Sequence, residues 1–445
     1  MSRIEDAVTA AVRLELTRVP DAVLELAGRV MADTVAVATA GARSSEIVRL
    51  VELDVAEGLV AASGDGGSGW AGRRSATVLT SPTRRAAPAL AAYLNATSGT
   101  FLELDEGMRP TGHPAMHIVP AAIAVAESGH VSGEELLRAV LAGYEVTSRL
   151  FRAFRLRYPL HPHGHFGAVG AAVAVALLEG TDPVRSALIA GTTPLLPVWQ
   201  ACFEGATARN SYTGLAAQSG VRSCVLARAG FTGSAEALDV AFGTLVGELI
   251  DPGALAAELD YDDLGITRNY FKRHSACALT HAAIDAVLEL DLPSAKTIRH
   301  VRVETVANNM KLDRQPRPND LSGRFSLPYA VATAILLGRS DPDAFRYRPE
   351  VAALAELVQV EIASDLEAQW PESSPARVTV DWSGGTTSAT VRNPRGHHTQ
   401  PMTCAEVHEK FRTLVHHGDR AEAWWPRLTS LRDVRDCATL LAEPA

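Results

Sequence analysis

No CxxC pair and no regular cysteine spacing occurs among Cys202, Cys224, Cys277, Cys404 and Cys437. Such scattered thiols give neither a disulfide framework nor a thiolate zinc site, and a reducing cytoplasm fits best. Positive charge is in deficit: 42 Lys and Arg against 51 Asp and Glu leave a net charge of −9, which argues against a nucleic-acid partner. A small anionic substrate stays open, because a locally basic pocket can sit in an acidic protein. Long apolar runs are missing as well. Asp33 interrupts the run from Met31 to Ala40, and Glu5, Asp6, Arg13 and Glu15 give the N-terminus an amphipathic pattern, so neither a signal peptide nor a membrane span is expected. The glycine cluster Ser63–Gly69 lacks the lysine and preceding strand of a phosphate loop and reads as a surface connection. There is no internal repeat and no low-complexity tail.

What is present is a chain of 445 residues, 47% hydrophobic and 21% charged, long enough for two or three domains. Helices are expected at 4–17, about 20–40, about 44–62, 84–99 and from Pro120, a residue suited to a first helical turn because it lacks the donor orphaned there. Ser132-Gly-Glu-Glu135 reads as a capping box for a helix to about Phe154, Asp182-Pro183 opens another, and 214–229 is a third, ended by Gly230. Nothing alternates with period two before about residue 267, so this stretch is expected to be all helical, its many Ala and Gly bringing helix axes close. After Lys272 the pattern changes. Thr297–Glu304, Arg377–Trp382 and Ser388–Arg392 alternate like strands, the last two joined through Gly384-Gly385 as a hairpin. Helices are expected at 327–337, 348–358, 403–416 and 427–442.

Four polar clusters stand out. His161, His163 and His165 alternate with Pro162 and Gly164 in a loop that runs into the apolar helix from Phe166 to Leu178. Unpaired amides and the dipole at that helix start favour an anion and oppose imidazole protonation. A second loop holds Glu103, Asp105, Glu106, Arg109, His113 and His117, a third holds Arg209 and Tyr212, and a fourth holds Lys272, Arg273, Cys277 and His281. Arg109, Arg209, Lys272 and Arg273 are candidates to clamp carboxylates, while a histidine or the lysine removes a proton alpha to one of them. The inventory suits elimination, decarboxylation or epimerisation of a polycarboxylic acid.

Each piece has a plainer reading. His163 and His165 also suit residues that only hydrogen-bond the backbone, and Glu103, Asp105 and Glu106 a solvated loop face. Arg209 also fits a helix cap, and Cys277 a buried apolar position. The triple histidine invites a metal, but three side chains from one extended loop seldom converge without a supporting carboxylate, so none is expected.

The order of the motifs resembles the MmgE/PrpD family. It is carried by Asp33-Thr34, Ala92-Tyr-Leu-Asn-Ala96, Glu103-Leu-Asp-Glu-Gly107 with His113-Pro114, Gly143-Tyr-Glu145, His161-Pro162 with Gly167 and Gly170, Gly214–Gly220, Gly230-Phe-Thr-Gly233, Lys272, His281 with Ile284-Asp285-Ala286, and Phe325–Tyr329. The resemblance implies a mainly α fold. A large helical domain over 1–267, completed by 398–445, would carry a smaller α+β lid domain over 268–397, and the protein would be a homodimer. It also implies catalysis without metal or organic cofactor, on a small carboxylate substrate in a cleft between the domains. His113 and His161 match the histidines lining the family's active site, and Lys272 its lysine at the lid junction. Glu103, Asp105, Glu106 and Gly107 stand where the family reads Asp-Phe-Asp-Asp-Thr. Arg209 replaces a lysine of the decarboxylases, and Cys277 a histidine found in some of them. These departures favour a 2-methylcitrate-type dehydratase over cis-aconitate decarboxylase. His161 and Lys272 are then expected to share acid and base work, His113 to orient or protonate, and Arg209 with Arg273 to hold carboxylates. Glu103, Tyr212, His165, Cys277 and His281 complete the expected substrate contacts. An epimerase or decarboxylase is the first alternative, an inactive member serving as a scaffold subunit the second, and a metal-dependent hydrolase the third.

Overall fold

The computed structural model describes residues 3–62, 74–292 and 294–444; the expected glycine-rich connection at 63–69 lies outside them. The fold is mainly α. Helix Phe166–Glu179 is buried from Phe166 to Ala176 and lies against helices Pro114–Gly129, Gly133–Ala153 and Ser211–Arg228. Small residues make this possible: a Cβ on Gly143 would stand 2.5 Å from the Gly170 carbonyl oxygen, so the two backbones all but touch. Side chains fix where helices begin. Ser132 and Glu135 form the expected capping box, Thr403 and Glu406 form a second, and Asp182 accepts from the Val184 and Arg185 amides. Among the described residues no helix is long and apolar enough to cross a membrane.

Several boundaries differ from expectation. The helix expected from Pro120 begins at Pro114 and carries Pro120 inside it; the missing-donor argument applies one turn and a half earlier. The stretch at 84–99 opens with strand Arg84–Ala86 before helix Pro88–Gly99, and the first and third helices stop early, as Arg3–Ala11 and Ser45–Ala56. The C-terminal helix is Gly418–Thr429, followed only by short 3-10 turns. The first 267 residues also hold strands: Ala76–Val78 pairs with Arg84–Ala86, Phe154–Leu156 with Gly247–Leu249, and Gly107–Met108 with Asn269–Tyr270. Ladders of two or three residues are too short for a period-two pattern to register.

Two large hydrophobic cores organise the rest. One gathers residues from Ile4 to Phe271 and from Val407 to Leu441. The other joins Ala276–Val391 to Trp199, Cys202 and Phe203 around a four-stranded sheet ordered 385–391, 376–382, 298–305, 358–362. The expected hairpin is present, with Gly385 opposite Trp382. Strand Val358–Ile362, parallel to Ile298–Thr305, was expected to be the end of a helix. Val351, Leu354, Ala355 and Val358 fall at helical spacing, but helix Pro349–Ala355 stops before Val358, which with Val360 faces the sheet core. The segments around 101–113, 199–210 and 269–279 run where the two cores meet.

Candidate active site

Between helices Pro88–Gly99 and Pro114–Gly129 the chain turns through Glu103, Asp105 and Glu106, and all three carboxyls are buried. The solvated-face reading therefore fails. On one side, Gly107–Met108 pairs with Asn269–Tyr270 and the Arg109 amide donates to the Arg268 carbonyl at 3.0 Å, which lays the acidic loop beside Lys272. A Cβ on Gly107 would stand 2.2 Å from the Tyr270 hydroxyl, so nothing larger than glycine fits the crossing. On the other side, Lys410 Nζ donates to the Leu104 carbonyl at 3.1 Å and pairs with buried Asp33 at 2.7 Å.

Glu103 has φ +50°, a left-handed conformation that costs a residue with a Cβ on the order of 1 kcal/mol. Its carboxylate bridges two cations: Oε1 accepts from Lys272 Nζ at 2.7 Å and Oε2 stands 2.9 Å from the Arg209 guanidinium. Lys272 also donates to Asp105 Oδ1 at 3.1 Å. Burial alone would lower the Lys272 pKa, but Asp105 and Glu103 outweigh it and push it above the ordinary lysine value. Arg209 is raised the same way, against burial, chiefly by Glu103. Burial would raise Asp105, yet Lys272 and His113 hold it well below the usual carboxylate value. Two carboxylates and two cations thus form a buried group whose charges cancel.

This changes two expected roles. Lys272 is fully buried, stays an ammonium and has no lone pair to act as a base. Arg209 spends Nη2 on Glu103 and Nη1 on the Thr100 carbonyl and Asn210 Oδ1, its Nε has no hydrogen-bond partner, and it stands outside the cavity onto which His113 and His161 open, so it holds Glu103 rather than a substrate. Arg273 is excluded by position, with a side chain 55% exposed and 3.8 Å from Asp285.

The histidines divide by which nitrogen holds the proton. His113 Nδ1 lies 2.9 Å from Asp105 Oδ2 and 2.7 Å from the Glu106 carbonyl oxygen. Both neighbours are acceptors, so Nδ1 carries the proton and the lone pair is on Nε2. His161 is the reverse. Its Nδ1 accepts the His163 amide at 3.2 Å, which leaves the proton of the neutral ring on Nε2. Burial, with His163 and Arg209 nearby, keeps His161 well below the ordinary imidazole range. The buried His163 ring stands edge-on to both, with centroids 4.5 Å from His113 and 4.6 Å from His161.

His165 and His117 are structural. His165 Nδ1 accepts the Phe166 amide at 2.8 Å and caps the helix, while Nε2 donates to the His161 carbonyl at 3.1 Å and ties down the loop, so both nitrogens are used. That helix start is therefore no anion seat. His117 Nδ1 donates to the His113 carbonyl at 2.7 Å and Nε2 accepts the Gly164 amide at 2.9 Å, joining the two histidine loops; burial pulls its pKa to about 4. Glu106, behind His113, accepts the Ala115 amide at 2.5 Å, and burial followed by Asp105 pushes its carboxyl up to about 8.

His113 and His161 open onto a cavity of about 570 Å³ between the two cores. Glu103 and Cys277 also line it, and burial raises the Cys277 thiol to about 11, so no thiolate nucleophile is present. Arg109 lines the same wall with Nε buried and without a hydrogen-bond partner, and no carboxylate is among the groups acting on it. Arg109 is thus a cation on this wall without a carboxylate partner, open to an anionic ligand. Of the other expected contacts, His281 donates to the Ala276 carbonyl at 3.1 Å beside His274, and Tyr212 is half-buried 6.3 Å from the His161 ring; neither lines the cavity. Sequence reasoning passed over Asn308, which lines the cavity, and Lys311, which donates to Asn308 at 2.8 Å and lies over the Trp199 ring. They sit in a 3-10 turn with no local motif to mark them.

The run 161–165 does not converge as a metal-ligand set, because His165 caps the helix. Asp105, His113 and His163 instead offer ligand atoms within 4.8 Å of one another. In this arrangement Lys272 holds the other Asp105 oxygen and a proton occupies His113 Nδ1, a poor fit to a second positive charge.

Models of the MmgE/PrpD N-terminal domain and the MmgE/PrpD C-terminal domain match residues 5–247 and 274–424. The chain is 27% identical to human cis-aconitate decarboxylase over 403 residues, covering 82% of this chain and 81% of the relative. It is 27% identical to the cis-aconitate decarboxylase of Aspergillus terreus over 368 residues, 74% of each. A cis-aconitate decarboxylase-like protein of Aspergillus oryzae is 26% identical over 401 residues, 81% of this chain and 83% of the relative.

Proposed function

Since the chain belongs to the MmgE/PrpD family, a family with lyase relatives, we propose that it removes a proton alpha to a carboxylate of a polycarboxylic acid and expels water, as a 2-methylcitrate-type dehydratase does. The observation that carries this reading is the pair of opposite tautomers on one cavity wall. His113, with Nδ1–H held by the Glu106 carbonyl and Asp105 2.9 Å away, presents a lone pair at Nε2 and serves as the base. His161, neutral with Nε2–H, serves as the donor to the leaving hydroxyl. Arg109 binds the carboxylate next to the reacting carbon, where the fork of the guanidinium steadies the charge that develops on it. Lys272 and Arg209 act one step back: they hold Glu103 in place, Lys272 keeps Asp105 ionised, and ionised Asp105 stabilises the imidazolium formed at His113. No step in this reading uses a metal or organic cofactor; the family resemblance favours a homodimer, and the scattered cysteines favour a reducing cytoplasm.

The names of the relatives favour a second reading, in which CO2 leaves in place of water and an imidazole delivers a proton to the carbon it vacates. Hydroxylated and unsaturated di- and tricarboxylates, followed by NMR in deuterated buffer, separate the outcomes. Alkene formation from a hydroxy acid supports dehydration, bicarbonate release supports decarboxylation, and deuterium uptake with inversion alone supports epimerisation. Absence of all three across the panel contradicts the enzymatic reading.

A further inference from the structure

The catalytic reading leaves Lys311 without a task. It lies in the 3-10 turn Ala307–Leu312, just after strand Ile298–Thr305 of the sheet core. Its ammonium stands 5.0 Å over the Trp199 ring and donates to Asn308 Oδ1 at 2.8 Å. Trp199 and Asn308 both line the cavity, so Lys311 sits directly behind the wall. Among the described residues no carboxylate neutralises it: burial lowers its pKa, and the group acting against this is Cys277, itself a neutral thiol.

An ammonium has three protons and no lone pair, so the atom of Asn308 that faces it is the amide oxygen. The Asn308 nitrogen donates to nothing else among the described residues, which leaves its two N–H groups for what the cavity holds. A cation on the oxygen polarises the amide and strengthens these donors. Arg109 and Lys311 also attend different histidines. Arg109 lies 5.5 Å from the Tyr270 ring, which is 6.2 Å from the ring of His113, whereas Lys311 lies over Trp199, whose ring is 4.5 Å from that of His161.

We propose that Asn308, with Lys311 behind it, seats a second carboxylate on the His161 side of the ligand, and that this pair makes the cavity prefer acids with two or more carboxylates to monocarboxylates. Lys311 is a positioning residue that acts through the Asn308 amide. Which histidine is base and which is donor rests on the proton-abstraction reading; the seat rests on the cavity and these two side chains.

The test is binding of glutarate and tricarballylate, beside pentanoate with its single carboxylate, by calorimetry and ligand-observed NMR. Lys311→Met and Asn308→Ala should each weaken the two polyacids about 10- to 100-fold, the worth of a hydrogen bond to a charged group, and leave pentanoate within about twofold. A merely structural lysine predicts a lower melting temperature for Lys311→Met. The proposal predicts the parental value or above in the ligand-free protein, since the charge removed is disfavoured by burial and has no counter-ion. Parental affinity for the polyacids in both variants overturns the proposal, as does equal weakening of pentanoate or a parent that does not discriminate glutarate from pentanoate. Deuterium uptake from hydroxy acids by the parent tests the other reading separately. Without uptake the proton-abstraction reading fails while the affinities still decide the seat; uptake with unchanged affinities in the variants removes the seat alone.

Discussion

His113 and His161 are the same side chain on one cavity, and what separates them is a single hydrogen bond each. The Glu106 carbonyl holds the proton of His113 on Nδ1, with Asp105 2.9 Å away, while the His163 amide takes the lone pair of His161 on Nδ1. Behind them Glu106 has its pKa raised from 4.5 to about 8, chiefly by burial. A carboxyl raised in the folded state adds stability below its unfolded pKa and loses it as pH climbs through the folded value. Between pH 4.5 and 8 the unfolded chain ionises this group and the folded chain does not, so Glu106 makes the protein less stable as pH rises. Glu106→Gln removes that penalty. Its melting temperature should exceed that of the parent by a margin that widens from pH 5 toward pH 8, equivalent to at most about 1.4 kcal/mol per pH unit. Lys272 behaves differently. Lys272→Met strips the cation from two buried carboxylates and should cost about 3–5 kcal/mol in urea denaturation, besides abolishing turnover.

At the scale of elements, the site depends on how one loop is held. The acidic loop is gripped on one side by the ladder with Asn269–Tyr270 and on the other by Lys410, which reaches the Leu104 carbonyl from helix Cys404–Val415. Lys410 bonds the Leu104 carbonyl and Asp33, neither of which lines the cavity, so its effect on rate passes through the position of Glu103 and Asp105. Lys410→Met should lower kcat about 10- to 100-fold with KM little changed, because small displacements of positioned groups are expensive. Steady-state kinetics check this, and equal loss in KM alone would contradict it.

Element by element, the sequence was legible where local chemistry decides. The capping box at Ser132 and Glu135, the helix Leu327–Leu337 and the hairpin at Gly385 follow from neighbours in the chain. It misled where spacing served two structures, as with Val358, and where ladders were two residues long. The proposed catalytic pair was legible as histidines but not as tautomers, because the Glu106 carbonyl and the His163 amide act through geometry alone. Lys272 looked like a base for the same reason: Glu103, its partner 169 residues away, is invisible to any local pattern.

Over the whole molecule, the cavity exists because two hydrophobic cores meet without merging. The helical core supplies His113, His161 and Arg109, and the sheet core closes over them with Asn308, Phe325 and Trp370. Charges that would be costly alone are cancelled at the seam, while Arg109 lines the cavity without a carboxylate partner. The central claim is that His113 takes the proton from carbon and His161 serves only the leaving group. It is tested most directly by following deuterium uptake at the alpha carbon of a turned-over hydroxy acid in His113→Gln and His161→Gln, beside the parent. The account predicts that His161→Gln still exchanges the alpha hydrogen while product formation falls by about 10²–10⁴-fold, and that His113→Gln loses both. Exchange at the parental rate in His113→Gln would contradict it.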